Sequence, residues 1–213
     1  MSIEQISFTA DHLLLEGMFH LPDASPPVPA VIVSHPHPLY GGNMHNLVVG
    51  HICRCLTEKG IAALRFNFRG TGASQGTHAS GIHERDDISG ALSYLEAQEG
   101  IDPARLGLAG YSFGAYVALA AGTQDGRSKA LCGIAPPIAY IDMSFLKNST
   151  KPKLFLFGSR DEITPLEPFL ALFRQLPGDN RYEVIQGADH FLFGYEERVA
   201  ELVAGYFAER LQA

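Results

Sequence analysis

Short apolar runs alternate with amphipathic segments along most of this chain, and this order limits the folds that the chain can adopt. The run at 30–34, Ala-Val-Ile-Val-Ser, is typical of a strand that is buried on both sides. Strands that alternate with helices require a parallel sheet with helices on both faces. We therefore predict an α/β fold, with a mostly parallel twisted sheet and an N-terminal hairpin over 3–20. The other predicted strands are 61–66, 106–109, 131–135, 153–157 and 182–185, and the predicted helices are 46–59, 84–98, 113–122, 166–175 and 196–211.

The length and composition of the chain favour one globular domain over 1–213. Its 213 residues are 46% hydrophobic, which is enough for a full core. The net charge is −7 and the basic residues are scattered, so we expect no nucleic-acid partner. The apolar runs are strand-sized and no basic leader precedes an apolar stretch. We therefore expect no membrane partner, a cytoplasmic location, and a monomer or a small homo-oligomer with reduced cysteines.

A serine lies between a predicted strand and a predicted helix, in the sequence Gly110-Tyr-Ser112-Phe-Gly114. A serine on such a tight turn is a candidate nucleophile. A side chain at either glycine would crowd the neighbouring strand and helix. The same five residues could also form a glycine-rich turn with a serine helix cap. The strand and the helix that flank the motif favour the nucleophile.

Two further side chains complete a catalytic set with Ser112. Ligand sites in parallel sheets form beyond the carboxyl ends of the strands, and Asp161 and His190 each follow a predicted strand there. Serine needs a base to take its proton, histidine has a suitable pKa, and a carboxylate orients the imidazole. The developing oxyanion needs backbone donors, and we predict that the N–H of Phe113 is one of them.

These motifs resemble those of the α/β-hydrolase superfamily over nearly the whole chain. The resemblance implies Ser112 as nucleophile, Asp161 as acid and His190 as base, with no cofactor and no metal. The segment at 35–42, His-Pro-His-Pro-Leu-Tyr-Gly-Gly, is similar to that of a small, lidless bacterial subgroup. The gap at 136–152 has room for a loop and one short helix, so we expect no cap domain and an open, shallow site. The matching segments are 68–74, 110–114, 158–161 and 187–190.

The chain departs from the common superfamily pattern at the second oxyanion donor. Many members have His-Gly at the position where this chain has His35-Pro36. Proline has no N–H and cannot donate to an oxyanion. The N–H of His37 is our first choice, and those of Leu39 and Tyr40 are the alternatives.

Several side chains near the predicted strand ends admit two interpretations. His35 and His37 could join His190 as metal ligands, but no carboxylate cluster accompanies them, and a local hydrogen bond of His35 is the favoured alternative. Arg69 could bind an acidic substrate, although we favour a role in bracing its loop.

Three aromatic residues are candidates for the substrate-binding surface. Tyr40, Tyr140 and Phe145 lie near predicted strand ends. They either line the acyl pocket or complete the core, and the sequence favours neither interpretation.

The combined pattern predicts a serine hydrolase that cleaves small-molecule carboxylic esters or thioesters. A peptidase or amidase is an alternative, although no segment is typical of a peptide-binding domain. A non-catalytic member that binds a ligand in the same pocket is the other alternative. The presence of Ser112, Asp161 and His190 together favours an enzyme.

Overall fold

Eight strands form one sheet in the computed structural model, which describes residues 1–212. The N-terminal hairpin pairs antiparallel with its neighbours, and the other six strands are parallel to one another. The strands are β1 (Ser2–Ala10), β2 (Leu13–Leu21), β3 (Val28–Ser34), β4 (Ala62–Phe66), β5 (Ile101–Tyr111), β6 (Ser128–Ile134), β7 (Lys153–Gly158) and β8 (Asn180–Ile185). Their order across the sheet is β1-β2-β4-β3-β5-β6-β7-β8.

Helices cover both faces of this sheet, so each face has its own apolar core. One core lies under α1 and α5, which pack against each other, and the other lies under α2, α3 and α4. A sheet covered on both faces explains why β3 is buried at every position. The helices are α1 (Leu47–Glu58), α2 (Glu84–Glu96), α3 (Phe113–Gln124), α4 (Leu166–Phe173) and α5 (Glu196–Leu211).

The predicted α/β-hydrolase fold is confirmed, including the N-terminal hairpin and the lack of a cap domain. Between β6 and β7 the chain forms a loop with one short 3₁₀ helix, Ser144–Asn148. The largest error in the predicted boundaries is in β5, which begins at Ile101 and not at 106. Asp102 and Pro103 resemble a turn in the sequence, but Ile101 pairs with Val28 ahead of an irregularity in the ladder.

The parallel register brings the loops after six strands to one edge of the sheet. Ser34 at the end of β3 pairs with Gly110 of β5, and Gly110 pairs with Gly133 of β6. Gly158 at the end of β7 pairs with Ile185 at the end of β8. The predicted site residues therefore lie at a common edge. Among residues 1–212, no helix is both long enough and apolar enough to cross a membrane.

The loop after β4 is braced by a buried ion pair. The Arg69 guanidinium donates to Asp87 Oδ1 from Nε and Nη2, at 2.9 and 2.7 Å. The backbone N–H of Arg69 donates to Asp87 Oδ2 at 3.0 Å. Asp87 lies on α2 and its side chain is fully buried. Arg69 thus fastens its loop to α2, as the sequence analysis favoured.

Candidate active site

Ser112 lies on a tight turn between β5 and α3 and has a positive φ of 54°. Its N–H donates to the carbonyl oxygen of Ile134 at 2.8 Å, which fixes the turn against β6. A Cβ at Gly110 would lie 2.1 Å from the Gly114 oxygen, and one at Gly114 would lie 2.4 Å from the His35 oxygen. Both glycines are therefore required by close backbone contacts, and the strained φ of Ser112 is held by its surroundings.

The three side chains predicted from the sequence form one hydrogen-bonded line. Ser112 Oγ lies 3.0 Å from His190 Nε2, and His190 Nδ1 lies 2.9 Å from Asp161 Oδ2. Asp161 Oδ1 accepts the N–H groups of Ile163 and Thr164 at 2.9 and 2.7 Å. A carboxylate at Nδ1 requires that this nitrogen carry a proton, so Nε2 is free to accept the hydroxyl proton of Ser112.

Asp161 is held as a carboxylate. Its burial acts to raise its pKa, but the hydrogen bonds from His190 and Thr164 have the larger combined effect, and the pKa lies below its usual range. Only 7% of Asp161 and 8% of His190 is exposed to solvent. Both side chains are therefore shielded from bulk water, and the hydrogen bond between them is not open to competition from solvent.

The loop that carries His190 is shaped by two residues that we did not assign to the site from the sequence alone. Tyr111 donates its hydroxyl proton to the backbone oxygen of His190 at 2.6 Å. Asp189 Oδ1 accepts the N–H groups of Phe191 and Leu192 at 3.0 and 3.1 Å, which closes a turn. Asp189 is thus a turn residue. The sequence signal for Tyr111 is its place inside the Gly-x-Ser-x-Gly motif, before the nucleophile.

Of the three candidate donors in the loop at 35–42, two already donate to His37. The N–H of Leu39 donates to His37 Nδ1 at 3.2 Å, and the N–H of Tyr40 donates to the His37 oxygen at 3.1 Å. The N–H of His37 itself makes no hydrogen bond with residues 1–212. The imidazole of His37 lies 4.8 Å from the ring of Phe113, whose N–H begins α3 and has no acceptor within that helix.

His35 ties this loop to the loop after β4. Its Nδ1 lies 2.6 Å from the Pro36 oxygen, and its Nε2 accepts the N–H of Phe68 at 3.1 Å. Both ring nitrogens are engaged, so His35 has no lone pair for a metal ion. This is the local role that the sequence analysis favoured. Burial lowers the pKa of His35 to about 4, and the ring is therefore neutral at physiological pH.

We expect His35 to make the stability of the protein depend on pH. A folded-state pKa of about 4 lies below the ordinary value of 6.5, so the unfolded chain binds more protons between these values. The free energy of unfolding should therefore fall as the pH drops, by about 2 kcal/mol from neutral pH to pH 5 for this one group.

Urea unfolding at several pH values measures this dependence. His35→Asn should show a shallower fall in unfolding free energy between neutral pH and pH 5 than the unaltered protein. His12→Asn, at an exposed histidine on the N-terminal hairpin, is the matched control and should leave the slope unchanged. An identical slope for His35→Asn would contradict the assignment.

A family comparison agrees with this geometry. The model of the X-Pro dipeptidyl-peptidase (S15) family matches residues 11–158, which is more than half of the chain. The chain belongs to this family. Its fold and its site make it a member of the α/β-hydrolase superfamily, as the sequence motifs implied.

Several relatives of this S15-family hydrolase are known. An uncharacterised protein of Rickettsia prowazekii is 33% identical over 95% of this chain and 87% of its own length. The structure of a serine hydrolase without a lid from Xanthomonas campestris is 31% identical with a TM-score of 0.83, over 98% of this chain and 93% of that one. A thiohydrolase of Arthrinium phaeospermum is 30% identical over 64% of this chain, which spans 44% of that protein. The likeness of loop 35–42 to a lidless subgroup stays a prediction.

The three predicted substrate-binding aromatics of this S15-family hydrolase lie in different surroundings. Tyr40 and Tyr140 are 88% and 73% exposed. Phe145 is half-buried and packs on Tyr116 of α3 with ring centroids 6.1 Å apart, so it covers the core. A role of these residues in substrate binding stays a prediction.

Proposed function

We propose that this chain is a serine hydrolase that cleaves carboxylic esters or thioesters through an acyl-enzyme on Ser112. The observation that carries the proposal is the hydrogen-bonded line from Ser112 Oγ through His190 to Asp161, with distances of 3.0 and 2.9 Å. A serine, a histidine and a buried carboxylate in this order are the parts that acyl transfer requires.

In the acylation half of the reaction, Ser112 Oγ attacks the carbonyl carbon while His190 Nε2 takes the hydroxyl proton. Asp161 stabilises the imidazolium that forms. The N–H groups of Phe113 and His37 donate to the carbonyl oxygen as it gains negative charge. The bond from the carbon to the alcohol oxygen or thiol sulfur then breaks, and His190 returns the proton to the departing atom.

In the second half, water replaces the alcohol or thiol. His190 takes a proton from the water as its oxygen attacks the acyl carbon, and Ser112 leaves with a proton from His190. The open edge of the sheet supports hydrolysis, because no cap domain stands between the acyl-enzyme and solvent. The similarity to a thiohydrolase supports thioesters as one substrate class.

The proposal is tested by covalent labelling and turnover. A fluorophosphonate should label the protein once, at the peptide that contains Ser112, and the protein should hydrolyse p-nitrophenyl acetate and a simple acetyl thioester. The Ser112→Ala variant should not be labelled. A folded wild-type protein that resists the reagent would instead favour a non-catalytic, ligand-binding member of the fold.

The second oxyanion donor has its own test, because proline can remove a single N–H. His37 has a φ of −59°, which already suits proline. We expect His37→Pro to lower kcat for p-nitrophenyl acetate by roughly 10²- to 10³-fold, the usual effect of losing one such donor. His37→Asn is the matched control, since it keeps the N–H and supplies an acceptor for the N–H of Leu39. Equal kcat values for the two variants would exclude His37 as the donor.

A peptidase or amidase is the second candidate, and the S15 family description is the observation that favours it. An amine is a poorer leaving group than an alcohol or a thiol, so amide cleavage asks more of the same residues. Comparison of kcat/KM for p-nitrophenyl acetate with that for an Ala-Pro p-nitroanilide separates the two. We expect the ester to be preferred by several orders of magnitude.

A further inference from the structure

Two exposed phenylalanines flank the buried Leu192 on the loop that carries His190. Phe191 and Phe193 are 55% and 70% exposed, and their rings stack with centroids 6.0 Å apart. The ring of Phe191 also lies 5.9 Å from the imidazole of His190. The pair therefore presents aromatic faces to solvent directly beside the group that moves the proton.

Exposed apolar side chains are concentrated at this edge of the molecule. Among residues 1–212, twelve large apolar side chains are exposed, and seven of them lie in loops that follow the parallel strands. Single exposed apolar residues are ordinary, whereas Phe191 and Phe193 form a stacked pair next to a catalytic side chain. The seven are Leu39, Tyr40, Ile82, Tyr140, Ile163, Phe191 and Phe193.

The chemistry of acylation indicates which part of the substrate lies near Phe191 and Phe193. The carbonyl oxygen must lie at the N–H of Phe113, and the atom that departs must lie within reach of His190, which protonates it. The alcohol or thiol therefore leaves on the side of His190, where Phe191 stands.

We propose that Phe191 and Phe193 bind the alcohol or thiol part of the substrate and select apolar leaving groups, aromatic or alkyl. This assignment rests on the proposed serine hydrolase activity. A planar or extended apolar group packs on the stacked rings and removes their exposed faces from water. The pair touches the substrate only until the acyl-enzyme forms, since the leaving group then departs with its proton. It acts on acylation and has no part in deacylation.

Two ester series separate the leaving group from the acyl group. In the first, acetates of methanol, hexanol and benzyl alcohol vary the alcohol. In the second, methyl esters of acetic, butanoic and hexanoic acid vary the acyl group. The variants are Phe193→Ser and the double variant Phe191→Ser with Phe193→Ser. Ile3→Ser, at an exposed apolar residue on β1, is the matched control.

We expect the double variant to lower kcat/KM for hexyl and benzyl acetate by roughly five- to twentyfold, with a smaller loss for Phe193→Ser alone. Methyl acetate and the whole methyl ester series should change less than about twofold. The rate of deacylation, measured as the steady-state phase after a burst with p-nitrophenyl acetate, should stay the same. Ile3→Ser should follow the wild type in both series.

Three results would overturn the assignment. Equal losses in both series would mean that the pair acts on the acyl group or on the site as a whole. No loss for any alcohol would mean that the pair does not touch the substrate. A wild-type protein that is inactive on every ester and resists the fluorophosphonate would contradict the proposed function itself, and this assignment with it.

Discussion

Replacement of Ser112 by alanine is expected to lower kcat for p-nitrophenyl acetate by roughly 10⁴- to 10⁶-fold, and His190→Ala by a similar factor. His190 takes the hydroxyl proton of Ser112 across a hydrogen bond of 3.0 Å, so neither side chain can act without the other. The double variant should therefore be no slower than either single variant, within about threefold. Independent roles would instead multiply the two losses.

The measurement needs the folded state of each variant to be verified. Ser112 makes its structural hydrogen bond through its backbone N–H to Ile134, and alanine keeps this bond. We therefore expect the urea midpoint of Ser112→Ala to lie close to that of the wild type. Multiplicative losses in the double variant, or a Ser112→Ala variant with a tenth or more of the wild-type kcat, would show that the hydrolysis takes another route.

Asp161→Asn is expected to lower kcat by roughly 10³- to 10⁴-fold while the fold is retained. The amide keeps the oxygen that accepts the N–H groups of Ile163 and Thr164, so the turn after β7 persists. An amide nitrogen facing His190 Nδ1 would donate to it and place the ring proton on Nε2. In that tautomer His190 cannot take the proton of Ser112.

Asp189→Asn is the matched control for this change. Asp189 is adjacent to His190, and the substitution removes the same charge, but its carboxylate only closes the turn through the N–H groups of Phe191 and Leu192. Asparagine keeps those bonds, so we expect kcat to change less than about threefold. Similar losses for Asp161→Asn and Asp189→Asn would point to a general effect of charge, and would contradict the orienting role of Asp161.

The order of elements was predictable because it depends on local patterns. Each of these patterns acts over a few residues: the apolar runs, the helix stops and the glycines at 110 and 114. The alternation of strands and helices then leaves few topologies open to the chain. The meeting of Ser112, Asp161 and His190 followed from the same reasoning, since parallel strands end at one edge. The start of β5 was missed because its first residues pair across an irregularity that no local pattern reveals.

For the loop at 35–42, residue types ranked the possible second donors but could not decide among them. Three N–H groups were possible second donors, and a choice among them depends on which of them the loop already uses. The ring nitrogen of His37 accepts the N–H of Leu39, and its backbone oxygen accepts the N–H of Tyr40. Both hydrogen bonds require the folded turn. The pairing of His35 with Phe68 joins two loops that are 33 residues apart in the chain.

The sequence by itself determined the fold class and the three residues of the hydrogen-bonded line. The reason is that the order of strands and helices along the chain, and the position of a residue at a strand end, follow from local hydrophobic periodicity, while backbone chirality limits how the strands connect. Tertiary structure alone decided which of the three candidate N–H groups in the 35–42 loop is free, that Tyr111 holds the loop of His190, and that Phe191 and Phe193 face solvent. Hydrogen-bond partners and exposure depend on which loops come together, and that becomes definite only when the sheet has formed.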